Sequence, residues 1–183
     1  MIAREEYAGG RVFEVVVSDL LAEPTDAIVN AANGQLAHGG GVAAAIARAA
    51  GPALEREGDR IVAERGPLGV GEAVVTTAGQ LPFKGVIHVV GPRQGAGGEE
   101  DDLVRALAAA FRCAHERGWG SLSFPAVSSG IFGVPLDVCA RAYVRAVRGF
   151  FAAHPGTCLR SVRLCLVRGP LEALVLRELG KPA

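Results

Sequence analysis

A chain of 183 residues, 50% hydrophobic and 21% charged, carries enough apolar material for one continuous core and too little length for two ordinary ones, so a single domain over 1–183 is expected. Lys+Arg and Asp+Glu both total 19, which leaves no basic field to draw in nucleic acid; an anionic ligand must be held by local groups. No apolar run is long enough to cross a bilayer, Met1–Glu6 lacks the pattern of a secretory signal, and Cys113, Cys139, Cys158 and Cys165 form neither a Cys-x-x-Cys pair nor a metal-like spacing with histidine, so a cytoplasmic monomer with free thiols, no metal and no cofactor is the expectation.

Arg11 to Val17 is valine-rich and ends at Ser18-Asp19, and Ala27 to Val29 is a second apolar run ending at Asn30; both read as strands. Helical patterning follows in the alanine-rich Gly41 to Ala50 and in Pro52 to Glu64, where Leu54, Ile61 and Val62 share a face. Ala73 to Thr77 and Val86 to Val90 are short β-rich runs around the turn-like Gly79 to Gly85. Glu99 to Arg117 is an amphipathic helix closed by Gly118, and Ser121 to Val127 is a strand. Leu136 to His154 is a helix, Val162 to Val167 a strand and Leu171 to Leu179 a final helix. Strands interleaved with helices predict a three-layer α/β/α sandwich around a mixed, mostly parallel sheet of about six strands, with ligands at the C-terminal strand ends.

Three loops fall at such ends. After the Ala27 to Val29 strand comes Asn30-Ala31-Ala32-Asn33, then His38-Gly39-Gly40-Gly41-Val42 opening a helix. Glycines let the backbone approach a ligand closely, and a helix start presents unpaired N–H groups with partial positive charge, which suit a phosphate. An asparagine amide donates and accepts, so it can pair with sugar hydroxyls without adding charge. After the Ser121 to Val127 strand comes Ser128-Ser129-Gly130-Ile131-Phe132-Gly133-Val134-Pro135, again glycines running into a helix start, with Pro135 suited to the first turn. Two such loops in a neutral chain favour a diphosphate over a single phosphate. Neither is a Walker motif or a Gly-x-Gly-x-x-Gly fingerprint, which counts against a nucleoside triphosphatase and a dinucleotide dehydrogenase. The third element is Ser18-Asp19-Leu20: an aspartate here can accept from an exocyclic amino group while the next N–H donates to a ring nitrogen, a pattern that selects adenine, or it can simply cap a turn. His88, inside an apolar strand, reads as a hydrogen-bonded core histidine, and His38 borders the phosphate loop, either as an acid or base or as a shaper of that loop.

Asp19-Leu20, Asp26 to Asn33 (DAIVNAAN), His38 to Ala43 (HGGGVA), Ile87 to Pro92 (IHVVGP) and Phe124 to Gly133 (FPAVSSGIFG) resemble, in order, the motifs of macrodomains, above all the archaeal and viral branches with HGGGVA. The resemblance spans about Val12 to Leu179 and implies the ligand, ADP-ribose. It implies Asp19 and Leu20 on the adenine, the Gly39, Gly40, Gly41 and Val42 backbone and that of Ser128, Ser129, Gly130, Ile131 and Phe132 on the diphosphate, and Asn33 on the distal ribose. Phe132 is then expected to pack beside that ribose. Two departures stand out. Deacylating members often have an aspartate directly after Gly-Gly-Val, where this chain has Ala43, and many members stack an aromatic side chain on adenine after the last strand, where this chain has Val167-Arg168. Implied functions are hydrolysis of mono-ADP-ribose esters on acidic side chains of proteins, with Asn33 and His38 as the candidate catalytic side chains, removal of phosphate from ADP-ribose 1''-phosphate, or binding of ADP-ribose and ADP-ribosylated proteins without turnover.

Overall fold

The computed structural model describes residues 1–182. Among these residues seven strands make one sheet: β1 (Ala3–Tyr7), β2 (Arg11–Val17), β3 (Ala27–Ala32), β4 (Ala73–Thr76), β5 (Gly85–Val90), β6 (Ser121–Phe124) and β7 (Ser161–Leu166). Five α-helices accompany them: α1 (Gly41–Ala50), α2 (Pro52–Arg65), α3 (Glu99–Glu116), α4 (Leu136–Ala153) and α5 (Pro170–Leu179). The sheet order is β1-β2-β7-β6-β3-β5-β4, with the five inner strands parallel and both edge strands antiparallel to their neighbours.

Alternation along the strands builds the two helical layers. Ala27 and Val29 of β3 join Phe13, Val15, Ile87, Leu122, Phe124, Val162 and Leu164 in a core with Leu107, Phe111, Tyr143, Val147 and Val175 from α3, α4 and α5. Ile28, one residue out of phase, points to the other face and meets Val16, Val86, Ile46 and Leu54 under α1 and α2. Strands covered on both faces read as unbroken apolar runs, and β5 is buried at all six positions. This is the expected three-layer α/β/α sandwich with a mixed, mostly parallel sheet.

The strand beyond the expected six is β1, whose sequence Ala-Arg-Glu-Glu-Tyr hides a strand under charge. It pairs with β2 from Ala3↔Val15 to Tyr7↔Arg11, and Gly9 (φ 78) and Gly10 (φ 74) supply the positive φ of the connecting turn. Charged side chains suit an edge strand because they discourage further pairing. In β6 the ladder stops at Phe124, short of Val127, where Pro125 removes a donor.

One local feature positions the site. β3 and β6 pair only at Ala27↔Leu122 and Ile28↔Ser123, then diverge. The chain leaves β3 to reach β5 on one side and later returns to β6 on the other, so the gap lies where the order of strands reverses, at their C-terminal ends.

Candidate functional site

The divergence of β3 and β6 opens into a cleft of about 420 Å³, within the range of roughly 300–1,000 Å³ usual for small-molecule sites. One wall continues β3 through Asn33 and the loop into α1, and Gly39, Gly40, Gly41, Val42 and Ala43 all line it. Gly41 (φ 58) takes the left-handed backbone that starts α1, and no side chain caps the helix, so its leading N–H groups are left for a ligand. The opposite wall is the loop after β6, from which Ser128, Gly130, Ile131 and Phe132 line the cleft. Ser128 lies at φ 67, an unfavourable backbone for a residue with a Cβ, and its Oγ is buried without a partner. Bonds from Val134 N to Ser128 O (3.1 Å) and from Gly133 N to Gly130 O (2.9 Å) fold the loop over, and Ser129 Oγ donates to Ala126 O at 2.8 Å. Pro135 sits at the N-cap of α4, one residue before its first turn.

The walls meet across the mouth. Ile131 is 78% exposed, and its Cδ1 lies 3.6 Å from where a Cβ on Gly40 would stand.

Asn33 does more than line the cleft. Its Oδ1 accepts from Gln35 N (3.1 Å) and Ala37 N (3.0 Å), and its Nδ2 donates to Ala37 O (3.0 Å), so the side chain ties its own loop and keeps one amide hydrogen for the cleft. Two lining residues were not singled out from the sequence. Gly91, at the end of β5, stands so close to the second loop that a Cβ there would lie 2.2 Å from Ser128 Oγ. Arg93 brings its guanidinium over the Phe132 ring, 4.1 Å from the centroid. Gly91 lies in the IHVVGP run, which ends a central strand beside β3, and Arg93 directly follows that run.

Asp19, Leu20, Ser129, Val167, Arg168 and His38 do not line the cleft itself. The Val17↔Leu166 register sets Asp19 and Val167-Arg168 side by side on the same C-terminal edge of the sheet. At about 4.8 Å per strand, β2 stands roughly 14 Å from β3, a span that suits an extended ligand running from this shelf into the cleft. Asp19 is exposed and its Oδ1 accepts from Leu21 N at 2.9 Å, capping a short 3-10 turn, so the turn-capping alternative holds while the other carboxylate oxygen stays open. Leu20 is buried at 6% exposure, whereas Val167 is 83% exposed, an apolar surface at the end of β7. Arg168 reaches only a long 4.0 Å pair with Glu172.

His38, at the start of the glycine loop that leads into α1, is not among the residues lining the cleft. Both ring nitrogens are buried and unpartnered, and the ring stands 5.9 Å from that of His88. Burial pushes its pKa down, against the upward pull of Glu55 and Asp59. His88 is the bonded core histidine expected: Asn30 Nδ2 donates to Nδ1 (3.0 Å), and Nε2–H donates to Thr76 Oγ1 (2.8 Å). Desolvation, with His38 alongside, lowers its pKa to about 3.

The macro domain family's sequence model matches residues 29–143. The chain belongs to that family. This macrodomain is 49% identical over 162 residues to a Thermotoga maritima protein, covering 87% of this chain and 27% of that one, and 45% identical to a Saccharolobus solfataricus protein, with 83% of each covered. It is 40% identical to the human protein mono-ADP-ribosyltransferase PARP14 over 88% of this chain and 9% of that protein, so it spans only a minor part of some relatives. Among solved structures, the Oceanobacillus iheyensis macrodomain with ADP superposes with a TM-score of 0.87 at 30% identity, covering 97% of this chain and 95% of that one. The Trypanosoma brucei macrodomain in complex with ADP-ribose superposes with a TM-score of 0.81 at 32% identity, covering 92% and 69%. No helix of the described residues is long and apolar enough to cross a membrane.

Proposed function

We propose that this macrodomain binds ADP-ribose across the shelf and cleft and, in the cytoplasm, hydrolyses the ester joining mono-ADP-ribose to acidic side chains of proteins. The observation that carries the reading is the uncapped start of α1 facing the folded loop after β6 across the β3–β6 gap. Two sets of backbone donors converge there on the place a diphosphate would occupy. Asp19 then reads the adenine amino group with its open oxygen, Leu20 N–H meets a ring nitrogen, and Val167 with Arg168 supplies the surface beneath the base. Asn33 offers its remaining amide hydrogen to the distal ribose, and Phe132 packs beside that sugar. His38 shapes the loop from behind, since neither nitrogen opens on the cleft.

Turnover on this arrangement needs a water placed between the diphosphate and the anomeric carbon. The water oxygen bonds to that carbon, the carbon–oxygen bond to the carboxyl breaks, and the carboxylate leaves with the electron pair. A phosphate oxygen of the substrate takes the water's proton. Ala43 lines the cleft where a carboxylate would otherwise hold this water, so positioning and backbone electrostatics carry the acceleration. That same residue favours the second reading, a module that holds ADP-ribose on proteins without releasing it. Incubation with glutamate-linked and arginine-linked mono-ADP-ribosylated protein, following free ADP-ribose, separates the two. Release from the glutamate-linked substrate alone supports the hydrolase; tight binding with no release from either leaves the binding module.

A further inference from the structure

The loop that carries Asp19 and Leu20 is clasped at its base. Ser18 Oγ donates to Glu23 Oε1, so these two residues hold Asp19 to Ala22 between them at the end of β2. Inside the loop, Ala22 N donates to Asp19 O at 3.0 Å and Glu23 N to Leu20 O at a long 3.4 Å. Glu23 reaches well beyond the loop. Its other oxygen, Oε2, accepts from Ser123 Oγ of β6 (2.9 Å) and from Arg163 Nε of β7 (2.6 Å), and Arg163 turns a second nitrogen to Glu14 of β2. Ser18 is held from β7 as well: Cys165 Sγ donates to Ser18 O at 2.9 Å, and Ser18 N donates to Leu166 O at 3.3 Å.

The Glu23 side chain is only 3% exposed. Burial works against its charge, but the bonds from Arg163, Ser18 and Ser123 outweigh it and hold its pKa below the usual carboxylate value. A buried ion pair adds little net stability over apolar groups of the same volume, because desolvation offsets the attraction. What a carboxylate supplies here, and an aliphatic side chain would not, is direction. Arg163 and Ser123 fix where Oε2 stands, and Oε1 in turn fixes Ser18, the residue bonded to Asp19.

We propose that Glu23 is a positioning residue for the adenine shelf: without touching the ligand it holds Ser18, and so sets the place of the Asp19 carboxylate and the Leu20 N–H that distinguish adenine from other bases. The inference rests on the adenine reading given under the proposed function. N–H···O bonds are confined to about 2.7–3.2 Å, so a displacement of Ser18 by about 1 Å is enough to spoil both base contacts. None of the bonds in this network involves the glycine loops before α1 and α4, so opening the clasp alters base selectivity and spares the diphosphate.

Calorimetry with ADP-ribose and its inosine analogue on the wild type, Glu23→Ala, Glu23→Gln, Asp19→Ala and the Asp19→Ala, Glu23→Ala double variant tests this, with melting temperatures to show that each is folded. The wild type should prefer the adenine ligand, and Glu23→Ala should cut that preference about threefold or more, within the coupling found inside one hydrogen-bond network. Glu23→Gln should recover most of it, because its carbonyl oxygen can stay on Arg163 and Ser123 while its amide donates to Ser18 Oγ. With Asp19 already replaced, Glu23→Ala should cost much less, since the carboxylate that it positions is gone. Ser18→Ala opens the same clasp and leaves the Glu23–Arg163 pair in place, so it should lose the preference too, and it gives the answer if Glu23→Ala does not fold. A preference that survives intact in folded Glu23→Ala or Ser18→Ala, or an equal loss with and without Asp19, overturns the assignment and leaves ADP-ribose binding standing. A wild type that binds ADP-ribose without preferring it to the inosine analogue removes adenine from the shelf, and this role of Glu23 with it.

Discussion

Asp19 is a side chain whose structural role and proposed recognition role can be tested separately. One carboxylate oxygen caps Leu21 N–H at the exposed end of β2, and the other is the one proposed to meet an adenine amino group. Asp19→Ala is therefore expected to weaken ADP-ribose binding by about 1–3 kcal/mol, the usual loss when a hydrogen bond to a charged group goes. It should also lower stability by about 0.5–2 kcal/mol through the missing cap. Asp19→Asn keeps a capping oxygen and separates the two effects: stability returns while adenine selectivity does not. Calorimetry with ADP-ribose and its inosine analogue reads the outcome, and unchanged affinity in Asp19→Ala, or no discrimination by the wild type, would remove adenine from this shelf. Asn33 is less separable, because three of its hydrogen bonds close its own loop, and its removal disturbs the cleft wall as well as any contact to ribose.

The two glycine loops act as elements, each fastened to a strand end and a helix start, and the gap between them is set by the short β3–β6 ladder. Gly40 has an extended backbone (φ 177, ψ 177), and a Cβ there meets only Ile131 Cδ1 at 3.6 Å, so a side chain at this position fits the fold. Gly40→Glu should accordingly melt near the wild type and yet lose ADP-ribose binding, because the side chain enters the cleft with a charge of the ligand's own sign. A folded variant with full affinity would move the diphosphate out of this cleft. Both loops were legible in the sequence because glycine runs between an apolar strand and a helical pattern carry a backbone reason for being there. Gly91 and Arg93 were harder to place: a Gly-Pro-Arg after a strand looks like an ordinary turn, and only the β3–β5 pairing brings it to the site. β1 escaped because Arg4, Glu5 and Glu6 cover an edge strand with the residues that mark a loop elsewhere. The division between cleft and shelf was also beyond the sequence, since it depends on where two parallel strands part.

Across the whole molecule, the buried polar column under α1 and α2 couples protonation to folding stability. His88 is fully buried, bonded between Asn30 and Thr76, and its pKa is lowered to about 3, while an unfolded chain binds that proton near pH 6.5. Below pH 6.5 the unfolded state therefore holds a proton that the native state refuses, so stability falls as pH falls, approaching about 1.4 kcal/mol per pH unit for this one group. Above pH 6.5 both states are neutral at His88 and the contribution is complete. His38, also lowered by burial, acts in the same direction. The carboxylates whose pKa values are lowered in the fold, including Glu23 with Arg163 and Glu100 with Arg141, begin to lose their contribution only as pH drops below about 4.5, so the interval from pH 6.5 to 5 isolates the histidines. Urea midpoints measured at pH 7.5, 6 and 5 should decline in that interval for the wild type. His88→Gln can still accept from Asn30 and donate to Thr76; it should be less stable at pH 7.5 for want of ring packing, but with a flatter profile down to pH 5. An equally steep decline in both proteins would mean that burial of His88 is not what ties this fold to pH.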